Sequence, residues 1–138
     1  METAKRLTEF FDQAEAEEVL SAYLFGSHSS GTNHAESDID VAVLVDREAR
    51  PTRVDRDRLR IDLGSALIST LGVNRIDVVS LEDVPPELGR RIVTEGLRVY
   101  CASPEADHTF VRDVQLRAAD LDPFLRRMRA LKLEALSP

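Results

Sequence analysis

Two apolar runs, each bounded by a polar signature, constrain this 138-residue chain more than any other feature. The first run holds Leu20, Ala22, Tyr23, Leu24 and Phe25 and ends at Gly26-Ser27. The second, Val41 to Val45, is opened by Ser37-Asp38-Ile39-Asp40. Both read as strands, so the polar residues sit at the exit of one strand and the entry of the next. Ten residues separate Ser27 from Asp38, and one separates Asp38 from Asp40. Side chains alternate along a strand, which places Asp38 and Asp40 on one face, about two rises of 3.3 Å apart. Paired acids on a valine-rich sheet are costly unless a cation sits between them. Two Mg²⁺ ions about 3.5–4 Å apart, the pair that clamps a phosphoryl group in flight, suit that spacing.

Taken singly, these pieces are weak. Asp-x-Asp at a strand end also describes a solvated loop edge, and Gly-Ser alone describes a turn. Their order on two successive strands is far more specific. A third carboxylate adds to it: Arg75-Ile76-Asp77-Val78-Val79-Ser80 is a β-branched run with an acid inside, preceded by the turn-like Leu71-Gly72-Val73-Asn74. Paired beside the Asp38–Asp40 strand, Asp77 would approach the same face. It could then hold one ion and accept the proton of an attacking hydroxyl. An ordinary strand-edge acid is the competing description.

The rest of the chain alternates helices with strands. Leu7, Phe10, Phe11 and Ala14 recur at helical spacing, so an amphipathic helix opens the chain. Strands are expected over about Val19–Phe25 and Ile39–Val45. After Arg50-Pro51-Thr52, the leucines 59, 63, 67 and 71 mark a second helix, and the Asp77 strand follows. Val84-Pro85-Pro86 opens a short helix that Gly96 ends, and Leu97–Cys101 form a last strand. Pro104 begins a C-terminal helical region. Asp122-Pro123 looks like a cap followed by proline at the first helical position, predicting a separate helix to about Leu136. The expected fold is α/β (α+β), a mixed β-sheet of four to five strands flanked by helices. One domain, residues 1–138 with a helical tail from about 104, is the natural count at this length.

Composition narrows the function classes. A formal net charge of −7 argues against direct nucleic-acid binding, which favours a basic face. No tryptophan, two tyrosines and five phenylalanines leave little for base stacking. The single Cys101 excludes an intramolecular disulfide and reads as a small buried hydrophobe. There is no signal-like N-terminus and no run of about 20 apolar residues, so no membrane role and a cytoplasmic location are expected. His28 and His34 fall in the Gly-Ser loop and His108 in an acidic stretch; none has zinc or triad spacing. Arg90 and Arg91 read as a solvated helix face from which one side chain can reach a ligand.

The ordered set Gly26, Ser27, Asp38, Asp40 and Asp77 resembles the polymerase-β-like nucleotidyltransferases, and among them the minimal, MNT-type proteins. The similarity extends to length and element order. It implies that Asp38, Asp40 and Asp77 bind two Mg²⁺ ions, with Asp77 also the base, and that Gly26 and Ser27 hold the triphosphate of ATP. Glycine lets backbone amides approach phosphate oxygens, and a helix starting within 29–33 would add its N-terminal amides. The loop 28–37 carries no Lys or Arg, where many family members place a basic residue. MNT-type proteins are typically encoded beside HEPN-domain toxins, and act as antitoxins by moving AMP onto a toxin tyrosine. The resemblance thus implies ATP as substrate and a HEPN toxin as partner. Two other readings stand beside it: an antitoxin that only occludes its partner, and a nucleotidyltransferase acting on an aminoglycoside-like small molecule. The apolar tail residues Phe124, Leu125, Met128, Leu131, Leu133 and Leu136 either dock on their own domain or await a partner.

Overall fold

A computed structural model of the chain describes residues 2–14, 17–26 and 39–136, with the backbone alone over 120–126, 129 and 133–136. The elements follow the order α1 (Glu2–Ala14), β1 (Val19–Phe25), β2 (Ile39–Val45), α2 (Arg53–Leu71), β3 (Ile76–Ser80), α3 (Pro86–Glu95), β4 (Leu97–Cys101) and α4 (Pro104–Leu136). The strands form one mixed sheet in the order β3-β2-β1-β4. β1 runs antiparallel to β2 and β4, and β3 runs parallel to β2, its α2 crossover supplying the length a parallel return needs.

Alternation along β2 divides the molecule in two. Val41, Val43 and Val45 join Leu7 and Phe11 of α1 and Leu59, Leu63, Leu67 and Leu71 of α2 in a core on one face. Ala42 and Leu44 join Tyr23, Leu81 and Ile92 in a smaller cluster on the other, under α3 and the start of α4. The α1 stripe is as expected except that Ala14, at its end, is exposed. Phe11 stacks on Tyr100 at 5.4 Å, and Thr8 Oγ1 donates to the Val99 carbonyl at 2.6 Å, so α1 is fastened to β4.

Helix α2 is delimited by its own sequence. Thr52 accepts from the Asp55 N–H while the Asp55 carboxylate accepts from the Thr52 N–H, a reciprocal cap. Gly72, at φ +68°, ends the helix in the left-handed region. Arg56 then locks α2 to the β3–α3 connection. Its guanidinium makes two 2.9 Å bonds to Asp83 and also donates to the carbonyls of Arg50 and Pro51. The pair is nearly buried, with 7% and 14% of the side chains exposed.

The C-terminal region departs from expectation. A single helix runs from Pro104 to Leu136, passing through Asp122-Pro123 without a break. Proline at a helix interior removes one backbone bond, at about 3 kcal/mol, and the long run of helix formers on both sides offsets that loss. Cys101, expected to be buried, is half-buried at the end of β4. No helix among the described residues is long and apolar enough to cross a membrane.

Candidate active site

Three residues lie side by side at one end of the sheet. Phe25 on β1 pairs with Asp40 on β2, and Asp40 pairs with Asp77 on β3. Neighbouring strands are about 4.8 Å apart, so in-register carboxylates on adjacent strands meet the same small space. Both project from the α3/α4 face, the face Asp40 shares with Ala42 and Leu44 by alternation. Asp40 is half-buried and Asp77 exposed, so the pair forms a notch open to solvent.

Gly26 closes that notch from β1. Its φ of +79° lies where L side chains are strained. A Cβ placed there would fall 2.5 Å from Asp40 Oδ2, so the position also has no room for one. Glycine therefore lets a backbone turn lie directly against the Asp40 carboxylate. An anion held by the turn amides and a cation held by Asp40 would be immediate neighbours.

Ser27 and Asp38 lie outside the described residues, as do His28, His34 and the helix start expected within 29–33. The described structure thus brings together Gly26, Asp40 and Asp77 of the five expected site residues. Among the described residues no group of three or more His, Cys, Asp and Glu converges as a metal site. Two hard oxygen donors in register, open to solvent on one side, nevertheless form a donor set that fits Mg²⁺.

Two cavities meet at Phe25 and Leu88. One of 530 Å³ contains Asp40 and Asp77 and runs past β3 to Arg60, Ile61 and Gly64 of α2. The other, of 430 Å³, contains Gly26 with Arg91, Glu95 and Gly96. Arg91 is exposed on α3 as the sequence suggests, and it stands in the Gly26 cavity. Sequence reasoning missed Arg60 and Leu88. Arg60 is one of four arginines within 53–60, and no spacing rule says which of them lines the cavity of Asp40 and Asp77.

Polar groups elsewhere on this face are tied down. Tyr23 donates a 2.7 Å bond to Asp107, which also accepts from Arg98 at 3.0 Å. Burial first, and the Asp107 carboxylate second, push the Tyr23 phenol well above its ordinary value. Glu82 accepts from the Val45 N–H and the Ser80 hydroxyl, yet its burial still raises its carboxyl. The Arg56 hydrogen bonds hold Asp83 below the usual carboxylate range.

A four-stranded sheet carrying paired carboxylates beside a glycine turn defines a nucleotidyltransferase-type scaffold. The sequence pattern of the Polymerase beta, Nucleotidyltransferase family matches residues 5–105. On that match, the chain belongs to the polymerase beta nucleotidyltransferase family. It is 34% identical over 96 residues to the protein adenylyltransferase MntA of Shewanella oneidensis. That match covers 68% of this chain and 63% of the relative, so it spans less than two thirds of MntA. A toxin–antitoxin crystal structure with AMP-PNP superposes with a TM-score of 0.70 at 24% identity, over 97% of this chain and 98% of the other. A complex of tri-AMPylated Shewanella oneidensis HEPN toxin with its MNT antitoxin gives 0.64 at 21% identity, over 99% and 100%. At these identities the two structures show a shared fold.

Proposed function

We propose that this protein is an antitoxin that transfers AMP from ATP to a tyrosine of a HEPN-domain toxin. The observation that carries the reading is the in-register Asp40–Asp77 pair packed against Gly26, in a chain 34% identical to a protein adenylyltransferase. The related complexes, one with AMP-PNP and one with a tri-AMPylated HEPN toxin, support ATP as donor and a HEPN protein as acceptor.

The chemistry follows from the residues. The phenol oxygen attacks the α-phosphorus of ATP, the bond from that phosphorus to the pyrophosphate oxygen breaks, and pyrophosphate leaves. A phenol with a pKa near 10 is a poor nucleophile while protonated, so a carboxylate at Asp77 takes its proton as the new bond forms. The Gly26 turn, with Ser27 beyond it, steadies the phosphates through backbone amides and a hydroxyl. Asp40 and Asp77, with Asp38 two residues before Asp40, would hold two Mg²⁺ ions, which supply Lewis-acid charge to the transferring phosphoryl group. The loop 28–37 carries no Lys or Arg, so the cations of the site are expected from metal and from helix side chains.

The test is mass spectrometry of the HEPN partner co-expressed with this protein. Whole AMP increments on one tyrosine, absent with Asp77→Ala, are the expected result. Protection of cells by Asp77→Ala as good as wild type, with no added mass, would instead make the protein an occluding antitoxin. AMP found only on a small-molecule acceptor would move it to the antibiotic-modifying class.

A further inference from the structure

Nucleotidyl transfer brings two substrates to one pair of carboxylates, and the two cavities divide that task. The 430 Å³ cavity contains Gly26 and Arg91, the parts suited to phosphates. The 530 Å³ cavity contains both carboxylates and continues over the outer edge of β3 to α2. Resting on the function proposed above, we infer that the larger cavity is the acceptor subsite: it receives the tyrosine-bearing segment of the partner over the β3 edge, with Arg60 as its positioning residue.

Strand β3 is one of the two edge strands of the sheet, and an edge strand offers outward carbonyl and amide groups to whatever approaches. Arg60 Nη1 donates to one of these, the Val78 carbonyl, at 3.3 Å. Its Nη2 lies 3.4 Å from Asp57 on the same helix face, and 39% of the side chain stays exposed. The guanidinium is therefore fixed by two protein contacts and still presents donors and a planar face to the cavity. Little further entropy is lost when such a group meets a ligand. Among the lysines and arginines of the described residues, Arg60 alone lines this cavity.

The other walls suit an aromatic side chain. Ile61 is 61% exposed beside Arg60, Ile68 lies about two turns further along α2, and Gly64 between them adds no side chain. A phenol ring laid on this apolar strip points its hydroxyl toward Asp77 and offers its face to the guanidinium. A cation beside a phenol also favours its ionised form, which is the nucleophile the transfer needs. The volume falls in the range of about 300–1,000 Å³ that encloses a ligand-sized group, larger than one tyrosine ring.

The test uses the full chain, Mg²⁺·ATP as donor and the cognate HEPN-domain protein as acceptor. Arg60→Ala is expected to raise the KM for acceptor about tenfold, a size typical of a lost cation–π contact, while the Kd for ATP is unchanged. Its rate-versus-pH curve should shift to higher pH, and Arg60→Lys should restore the pH curve but only part of the KM. Ile61→Glu, at an exposed position that cannot unfold the helix, should raise acceptor KM with no change in Tm. Unchanged acceptor KM in both Arg60→Ala and Ile61→Glu overturns the inference, as does a weaker ATP Kd with acceptor KM unaltered. Partner affinity measured without ATP separates this from the function itself. A wild type that transfers nothing, but binds its partner more tightly than Ile61→Glu does, loses the transfer activity and keeps the subsite.

Discussion

The two faces of the sheet are made by the same strands and behave as opposites. On the α1/α2 face, Val41, Val43 and Val45 pack against leucines and Phe11, and the nearly buried Arg56–Asp83 pair fastens α2 at its edge. On the α3/α4 face, one residue out of step, Asp40, Ala42 and Leu44 share space with Asp77, Tyr23 and Asp107. A one-residue alternation thus separates the side that holds the fold from the side that can do chemistry. The lesson is that acids at a strand end cost the core little when the partner face already contains the apolar burial. This division should be visible as mutations that move stability or transfer, but not both.

The largest effect expected is on chemistry alone. Asp40→Asn should lower AMP transfer by about 10³-fold or more, equivalent to about 4 kcal/mol of transition-state stabilisation. Its Tm without ligand should hold or rise, since one of two adjacent like charges is removed. Mg²⁺ with ATP should stabilise the wild type more than the variant, because only a ligand that binds the native state raises Tm. Full activity in Asp40→Asn would break the division of faces at its centre. Gly26→Ala is the exception that should lower both transfer and Tm, because backbone strain and the Asp40 carboxylate both oppose a methyl there.

Stability should respond on the other side. Arg56→Ala leaves Asp83 buried without its partner and should cost about 3–5 kcal/mol in chemical denaturation. The pair also sets a pH dependence. Asp83 titrates lower in the folded chain, so its contribution is present above the ordinary value of about 3.9 and is lost as pH falls through the folded value. Glu82 has the opposite sign: its raised carboxyl contributes below about 4.3 and loses that contribution as pH rises. Arg56→Ala should therefore flatten the acid limb of the stability curve, while Glu82→Gln should raise stability at neutral pH. An acid limb unchanged in Arg56→Ala would show that this bridge is not what acid breaks.

A smaller effect probes the mixed face. Tyr23→Phe removes the 2.7 Å bond to Asp107 and should cost about 1–3 kcal/mol, with transfer per folded molecule unchanged. A loss of transfer exceeding the loss of folded protein would join this network to the site and blur the comparison.

How much of this the sequence disclosed follows from the length of each signal. The boundaries of β1, β2 and β4 and the leucine ladder of α2 were legible because period-2 and period-4 patterns ran over whole elements. Asp40 and Asp77 were legible as candidates, and their pairing in register came from the strand order. The helix boundary expected at Pro123 was not found, because a local stop signal says nothing of the helical propensity on both sides of it. Arg60 was invisible: which of four nearby arginines lines the cavity of Asp40 and Asp77 is decided by the crossing of α2 over β3, a tertiary fact. The Tyr23–Asp107–Arg98 network spans 84 residues of sequence at its longest link, and no local pattern encodes that.

The smallest stability effect expected lies where the helix α4 leaves the sheet. Val114 and Ala118 are buried, whereas Leu116, Met128 and Leu131 are 58%, 50% and 54% exposed. Apolar groups on a charged helix with basic neighbours are a poor way to face water and a good way to meet another protein. Met128→Ser with Leu131→Ser should change Tm within the range of surface substitutions, about 0.5 kcal/mol, because neither side chain is buried in this chain. The same double variant should weaken partner binding in calorimetry while the affinity for ATP stays level, since both positions lie far along the chain from Gly26. Truncation before Pro123 should act in the same direction and further. If truncation instead unfolds the chain, the outer half of α4 belongs to the α3/α4 face, and that face carries more of the stability than its polar lining suggests.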